Sequence, residues 1–357
     1  MKINKSQKPR LEGRRILTIA VLVAVLAAFS ATLSAQTRAE GNLISIKFGG
    51  GYDWVPSGIG DLEQLRSSLS SYYPSLGGLG GYTGTCSWAK TGRVPGYDFE
   101  ILLHPLPALA ISFGISYIAA NSSGTYGYTY HEEGTQATQQ YIFDQSVTTA
   151  RSYKLTVIPI KLSLYGILPL GRTFDLYAYA GAGFYFGNLS HSMTEQTSVI
   201  QQFNPFAAGT PATQNNSTVN DQIQEDFTKE ILGIHGGLGL DVKLGRWLSL
   251  GLECYGRSLS MADWEGHRVD TISTRQRLYK SDLGWYSDET STNTYQTYGS
   301  QYYYETLDPK LNKFFAHIEL LDFSPEAGDV VRNVRRPSFN LSSYGIRLTL
   351  QIYFTID

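Results

Sequence analysis

The chain has 357 residues, 42% of them apolar and 17% charged, with a formal charge of −2. That is material for one large domain or two ordinary ones. After residue 33 no apolar run approaches the roughly 20 residues a membrane-crossing helix needs, which excludes a polytopic helical membrane protein.

Residues 1–35 have the three-part form of an export signal: a basic stretch (Lys2, Lys5, Lys8, Arg10, Arg14, Arg15), an apolar run from Ile16 to Leu33, and cleavage at Ala35. An uncleaved anchor helix is the competing reading. Cleavage would remove six basic residues and one acidic one, taking the formal charge from −2 to −7. A chain that acidic has no general attraction for nucleic acid.

From there, eight segments alternate apolar and polar residues: 43–54, 96–104, 108–119, 153–166, 173–187, 230–243, 246–258 and 342–356. Period two is the signature of a strand with two different environments on its faces. In the third segment Leu109, Ile111, Phe113, Ile115 and Tyr117 oppose Ala110, Ser112, Gly114 and Ser116. The connections alternate strictly between tight turns rich in Pro and Gly (105–107, 167–172, 244–245) and long ones (55–95, 120–152, 188–229, 259–341). Short turns at one end and long loops at the other, on an even number of strands, are the organisation of an outer-membrane barrel. The pattern therefore predicts an all-β fold: an eight-stranded antiparallel up-and-down transmembrane β-barrel over residues 36–357, with long extracellular loops and periplasmic termini. Hairpins of the last long loop that cross the membrane would give ten strands instead.

The inward parity collects ionisable residues. Glu253 and Arg347 lie at similar depths on the last two strands and are expected as cross-strand neighbours, with Asp53 level with them across the closing seam. An interior charge cluster is thus predicted from Asp53, Asp98, Glu253, Arg257 and Arg347. Its dull role is a structural plug, since eight strands leave an interior just wide enough for side chains. The sharper alternatives are a conduit, or a cavity lined by Gly181, Gly183, His235 and Gly237. His235 is a lone inward histidine without a nucleophile motif, so no catalytic residue is assigned and no enzyme is expected. The six histidines are scattered and the two cysteines far apart, so neither metal nor other cofactor is expected. Cys86 and Cys254 are read as free thiols.

In the long connections, Ile59, Leu62, Leu65, Leu69 and Tyr72 recur at helical spacing, with Asp61 and Gln64 as a capping box, predicting a helix over 61–73 above the barrel mouth. The stretches 125–130 with 139–147, and 294–307, predict hairpins rising above the membrane. Short helices are expected over 311–320 and 327–334, with Arg332, Arg335 and Arg336 as a basic patch suited to phosphates.

Taken together, the export signal, the eight segments, the loop alternation and the glycine-rich strands 176–187 and 231–245 resemble the small OmpA/OmpW-like outer-membrane barrel families. Ser343, Gly345, Leu348 and Leu350 look like the assembly signal read by the barrel-insertion machinery, although this chain ends Phe354, Thr355, Ile356, Asp357 rather than in an aromatic residue. The resemblance implies a monomer in the bacterial outer membrane. Its partners would be lipid and lipopolysaccharide, the insertion machinery, and an external protein or glycan bound by the loops. Structural or surface interaction is the expected role, and a small channel or carrier is the alternative.

Overall fold

Strands whose side chains alternate between two environments satisfy their backbones most completely by pairing on both edges. The computed structural model describes residues 44–55, 59–90, 92–136, 139–206 and 210–354, and shows that pairing carried through. The export signal lies outside the described residues.

In chain order the elements are β1 (Ile44–Trp54), α1 (Asp61–Ser75), β2 (Tyr82–Trp88), β3 (Arg93–Leu106), β4 (Leu109–Gln136), β5 (Gln139–Leu170), β6 (Phe174–Pro205) and β7 (Thr213–Lys243). They continue with β8 (Leu248–Ser258), β9 (Ser260–Met261), β10 (Glu265–Lys280), β11 (Gly284–Asp308), β12 (Lys313–Leu321), β13 (Val331–Arg335), β14 (Phe339–Asn340) and β15 (Ser343–Phe354). Antiparallel pairing runs β1–β3–β4–β5–β6–β7–β8–β15 and returns from β15 to β1, so these strands form a closed ring. The outward residues of the ring are apolar yet uncovered: Phe113 is 59% exposed, Leu232 61% and Leu348 71%. Their neighbours in sequence, such as Ser112, Lys161 and Thr349, are buried inside.

The fold is all-β and antiparallel, but a bare eight-stranded barrel is not what forms. Thirteen strands share the main sheet, and β9 and β14 make a separate pair. The segment expected over 153–166 lies toward the C-terminal end of a 32-residue strand, and β4, β6 and β7 are also longer than the expected segments. Toward the far ends of β6 and β7, over 197–205 and 213–221, the two faces are equally half-buried, and Gln, Asn, Ser and Thr replace the alternation. The pairing continues without the period that announced it. The last long connection supplies β10 to β13 alongside β7 rather than two more ring strands.

Two expected helices are strands. Within 311–320, Phe314 and Phe315 hide a period of two: Ala316, Ile318 and Leu320 are the buried set of β12. The stretch 327–334 contains β13, paired with β11. The expected helix over 61–73 forms as α1, but not with the expected cap. Gly60 is the N-cap, at φ 52°. Asp61 instead binds the Arg335 guanidinium and accepts the Ser338 amide at 2.7 Å, tying the helix start to the strand that leads into β14.

Between β8 and β10 the chain turns into the mouth of the ring. Leu259, Met261 and Trp264 are buried there, β9 pairs with β14 through Met261 and Phe339, and Trp264 meets Phe339 edge-on at 5.6 Å. Gly187 of β6 accommodates this insertion, since a Cβ there would lie 2.7 Å from Trp264 and 2.8 Å from the Met261 sulfur. Over it lie Leu62, Leu65 and Leu69 of α1, in one core with Tyr153, Tyr185 and Phe227. Trp264→Ala should therefore lower stability by about 3–5 kcal/mol. Urea unfolding in detergent measures this, and a loss below about 1 kcal/mol would contradict the packing.

Candidate functional site

Beneath the apolar insertion, the inward parity brings the predicted charges together. Arg347 of β15 stands directly across from Glu253 of β8, with its Nε 3.0 Å from Oε1. Its other end pairs with Asp98, and its guanidinium lies 3.6 Å above the Tyr255 ring. On β1 a Cβ at Gly51 would fall 2.8 Å from the Arg347 Cβ, so that glycine gives the arginine its room. Asp53 lies two residues nearer the mouth, where Arg257 pairs with it.

Three further inward charges belong to the same cluster. Lys47 donates to Glu253 at 2.5 Å, and Lys161 bridges Asp98 and Glu100, lying 3.2 Å from the latter. Four bases (Lys47, Lys161, Arg257, Arg347) thus face four acids (Asp53, Asp98, Glu100, Glu253), and the cluster is neutral. Neutrality matters, because an unpaired charge in a low-dielectric interior costs several kcal/mol. A wall of tyrosines completes it: Tyr165 donates to Glu100 at 2.5 Å, while Tyr177 and Tyr179 donate to Glu253 at 3.0 and 2.7 Å. Parity alone marked Lys47, Glu100 and Lys161 as inward. What brings them into the cluster is reach across the lumen, which a strand-by-strand reading does not measure.

The glycines expected to line a pocket have their space filled. A Cβ on Gly237 would meet the Tyr179 ring at 2.8 Å, one on Gly181 would meet His235 Nε2 at 2.8 Å, and one on Gly183 would meet the Ile160 carbonyl at 2.7 Å. His235 Nε2 lies 2.8 Å from Ser163 Oγ, while its Nδ1 has no hydrogen-bond partner among the described residues. A Ser–His contact with nothing orienting the ring lacks the third member that makes a serine nucleophilic. Below the cluster, a cavity of about 20 Å³ is lined by Lys47, Tyr165, Asp175, Tyr177, Asp241 and others, room for about one water molecule.

A second polar group lies above the ring. His191 Nδ1 contacts Glu225 at 2.7 Å and its ring stacks on Tyr153 at 4.2 Å; burial lowers its pKa although Glu225 opposes the shift. Farther out, burial and a hydrogen bond with Asp270 push the Asp221 carboxyl up to about 7. The two are diagonal cross-strand neighbours on β7 and β10.

No family model matches the chain, and no curated protein matches it. Among solved structures it is similar to the outer membrane transporter YddB from Escherichia coli, at 7% identity and a TM-score of 0.11, over 87% of this chain and 81% of that one. It is also similar to the siderophore receptor PirA from Pseudomonas aeruginosa, at 11% identity and a TM-score of 0.10, over 89% and 82%. At such TM-scores neither likeness carries an argument about fold or activity.

Two outcomes follow. Glu253→Gln leaves Lys47 and Arg347 without their shared carboxylate and should destabilise by about 3–5 kcal/mol. Combining it with Lys47→Met should cost less than the sum of the two by more than about 1 kcal/mol in denaturant unfolding, and additivity would refute the pairing. For Asp221 the folded pKa lies above the unfolded value, so the neutral form favours the fold at low pH. That contribution is lost as pH rises from about 4 to about 7. Hydrogen exchange at Ile223 and Ile272 should quicken across that window beyond the intrinsic rate change, and Asp221→Asn should abolish the extra acceleration.

Proposed function

We propose that the chain is a bacterial outer-membrane β-barrel of eight membrane-spanning strands, resembling the OmpA/OmpW-like families, whose role is structural or surface interaction. One observation carries this reading: a ring of strands that is apolar outside is stoppered inside, by a neutral ionic cluster below and an aromatic insertion above. A water-soluble protein would cover Phe113, Leu232 and Leu348, whereas a bilayer covers them without further structure. A water-filled pore would leave its lining charges hydrated, whereas here each base of the cluster is ion-paired with a carboxylate of the same cluster.

In this reading the apolar band sits in lipid and lipopolysaccharide. The tight turns and both termini are periplasmic, and the second tier built from β2, β10 to β13 and the distal halves of β4 to β7 is extracellular. Assembly proceeds through the barrel-insertion machinery, and the protein is a monomer within its own membrane. Function resides in the outer tier, with an external protein or glycan as its partner. The basic patch is already engaged by its own chain: Arg332 and Arg335 pair with Glu305 and Asp61, and Arg336 lies 4.4 Å above the Tyr302 ring.

Planar-bilayer recording distinguishes this from a channel or carrier. The reconstituted protein should give no steady conductance. Stable, ion-selective openings altered by Arg347→Gln would overturn the stoppered reading and favour a small channel.

A further inference from the structure

Past the ring, β10 and β11 extend a sheet that bears little resemblance to a packed domain. Residues 213–221 of β7 and 269–280 of β10 are for the most part half-buried on both faces, and most of the distal part of β11 is exposed on both. This is a single layer of strands in water. The hairpin turn lies at 281–283, and β11 runs back from it until β12 begins to pair at Ser300. Near that point the Gln301 amide donates to the Trp264 carbonyl in the ring's mouth.

Between Gly284 and Gly299, β11 pairs with β10 on one edge, and among the described residues nothing pairs with the other. At about 3.3 Å per residue, this open edge is about 50 Å long. Exposed edges are ordinarily blunted by proline, lysine, bulges or covering elements. The sequence GWYSDETSTNTYQTYG (284–299) has no proline and no basic residue, and its one register irregularity lies close to the hairpin turn, where Tyr286 is bulged between Trp285 and Ser287, leaving 287–299 regular.

The segment is complementary to itself. Two copies of one edge related by a two-fold axis must run antiparallel. Centring that axis on Thr292 places Ser287 opposite Thr297, Asp288 opposite Gln296, Glu289 opposite Tyr295 and Thr290 opposite Thr294. Threonine pairs across strands are favourable, and no like charges meet. The paired length, 287–297, ends just short of Ser300, where β12 takes over the edge. Centring on Asp288 or Glu289 would oppose that acid to its own copy and leave much of the edge bare.

From this we infer that β11 pairs with β11 of a second copy of the same chain, adding strand to strand into one continuous sheet. The register fixes the geometry: the hairpin tip of one copy lies beside the ring-proximal end of the other, so the two barrels stand at opposite ends of the shared sheet. Copies in one membrane cannot be arranged that way with their hairpins upright, whereas copies in two facing membranes can. The pairing is homophilic and joins one membrane surface to another. It rests on the surface-interaction reading above and names the partner.

The test uses the full mature chain in liposomes loaded with a small fluorescent dye, with the outer tier facing out as judged by external protease. Wild-type vesicles should cluster, read by light scattering. Thr292 faces its own copy in the proposed register, so Thr292→Lys vesicles alone, and Thr292→Glu vesicles alone, should cluster about tenfold less. A mixture of the two should recover. Thr292 is exposed and contacts Ser273 through its hydroxyl at 3.1 Å, so either charge is compatible with folding, which heat-modifiable gel mobility verifies. Wild-type vesicles that stay dispersed, lysine vesicles that cluster like wild type, or dimers confined to single vesicles would each overturn the pairing. Dye leakage would instead sink the stoppered surface-protein reading, so the two failures are distinguishable.

Discussion

In a hydrocarbon environment no water is at hand for an unpaired backbone amide, so a strand that enters it must find a partner on each side. The cycle of pairings from β1 round to β15 and back meets that demand, and most other features follow from it. Closing the ring forces every second side chain into a narrow lumen. Polar residues placed there must satisfy one another, because neither lipid nor bulk water will. The neutral cluster of four acids and four bases, hemmed by tyrosine hydroxyls, is the consequence.

The same closure explains the glycines. A narrow ring cannot hold large side chains at every inward position, so tyrosines alternate with residues that have no side chain. Gly237 faces Tyr179 and Gly51 faces Arg347. At the mouth, Gly187 plays this part for Trp264 and Met261, letting the β8–β10 connection fold inward instead of looping into solvent. Ionic and apolar stoppers are thus stacked, and the apolar one continues without a break into the core beneath α1. The outer tier is seated on the ring by this core and by the strands that run through both.

How legible this was in the sequence depends on what each face touches. Where a ring strand has an apolar outward face and a polar face toward the lumen, period two is strong, and the ring strands and the Glu253–Arg347 pairing can be read directly. Where the two faces are alike, as in residues 197–205 or 213–221, the same strands continue with no periodic signal, and the outer tier is underestimated. The run 311–320 was misread because Phe315 packs against Tyr72 on the face opposite Ala316, Ile318 and Leu320, giving a two-sided strand the look of a helix. Asp61 was misassigned for a different reason: its partner Arg335 lies 274 residues away, and local capping rules do not reach that far. The insertion at the mouth left only isolated apolar residues, Leu259, Met261 and Trp264, whose common destination the linear chain does not disclose.

The central claim is that the outward face of the ring lies in lipid. Cys254 is exposed on that face, between Leu238 of β7 and Ile346 of β15. A nitroxide attached there in a Cys86→Ser background, with the protein in bilayers, reports its surroundings through relaxation by molecular oxygen and by a water-soluble nickel chelate. Strong relaxation by oxygen with little by nickel is the predicted result. Ready access of nickel to Cys254 would contradict the account.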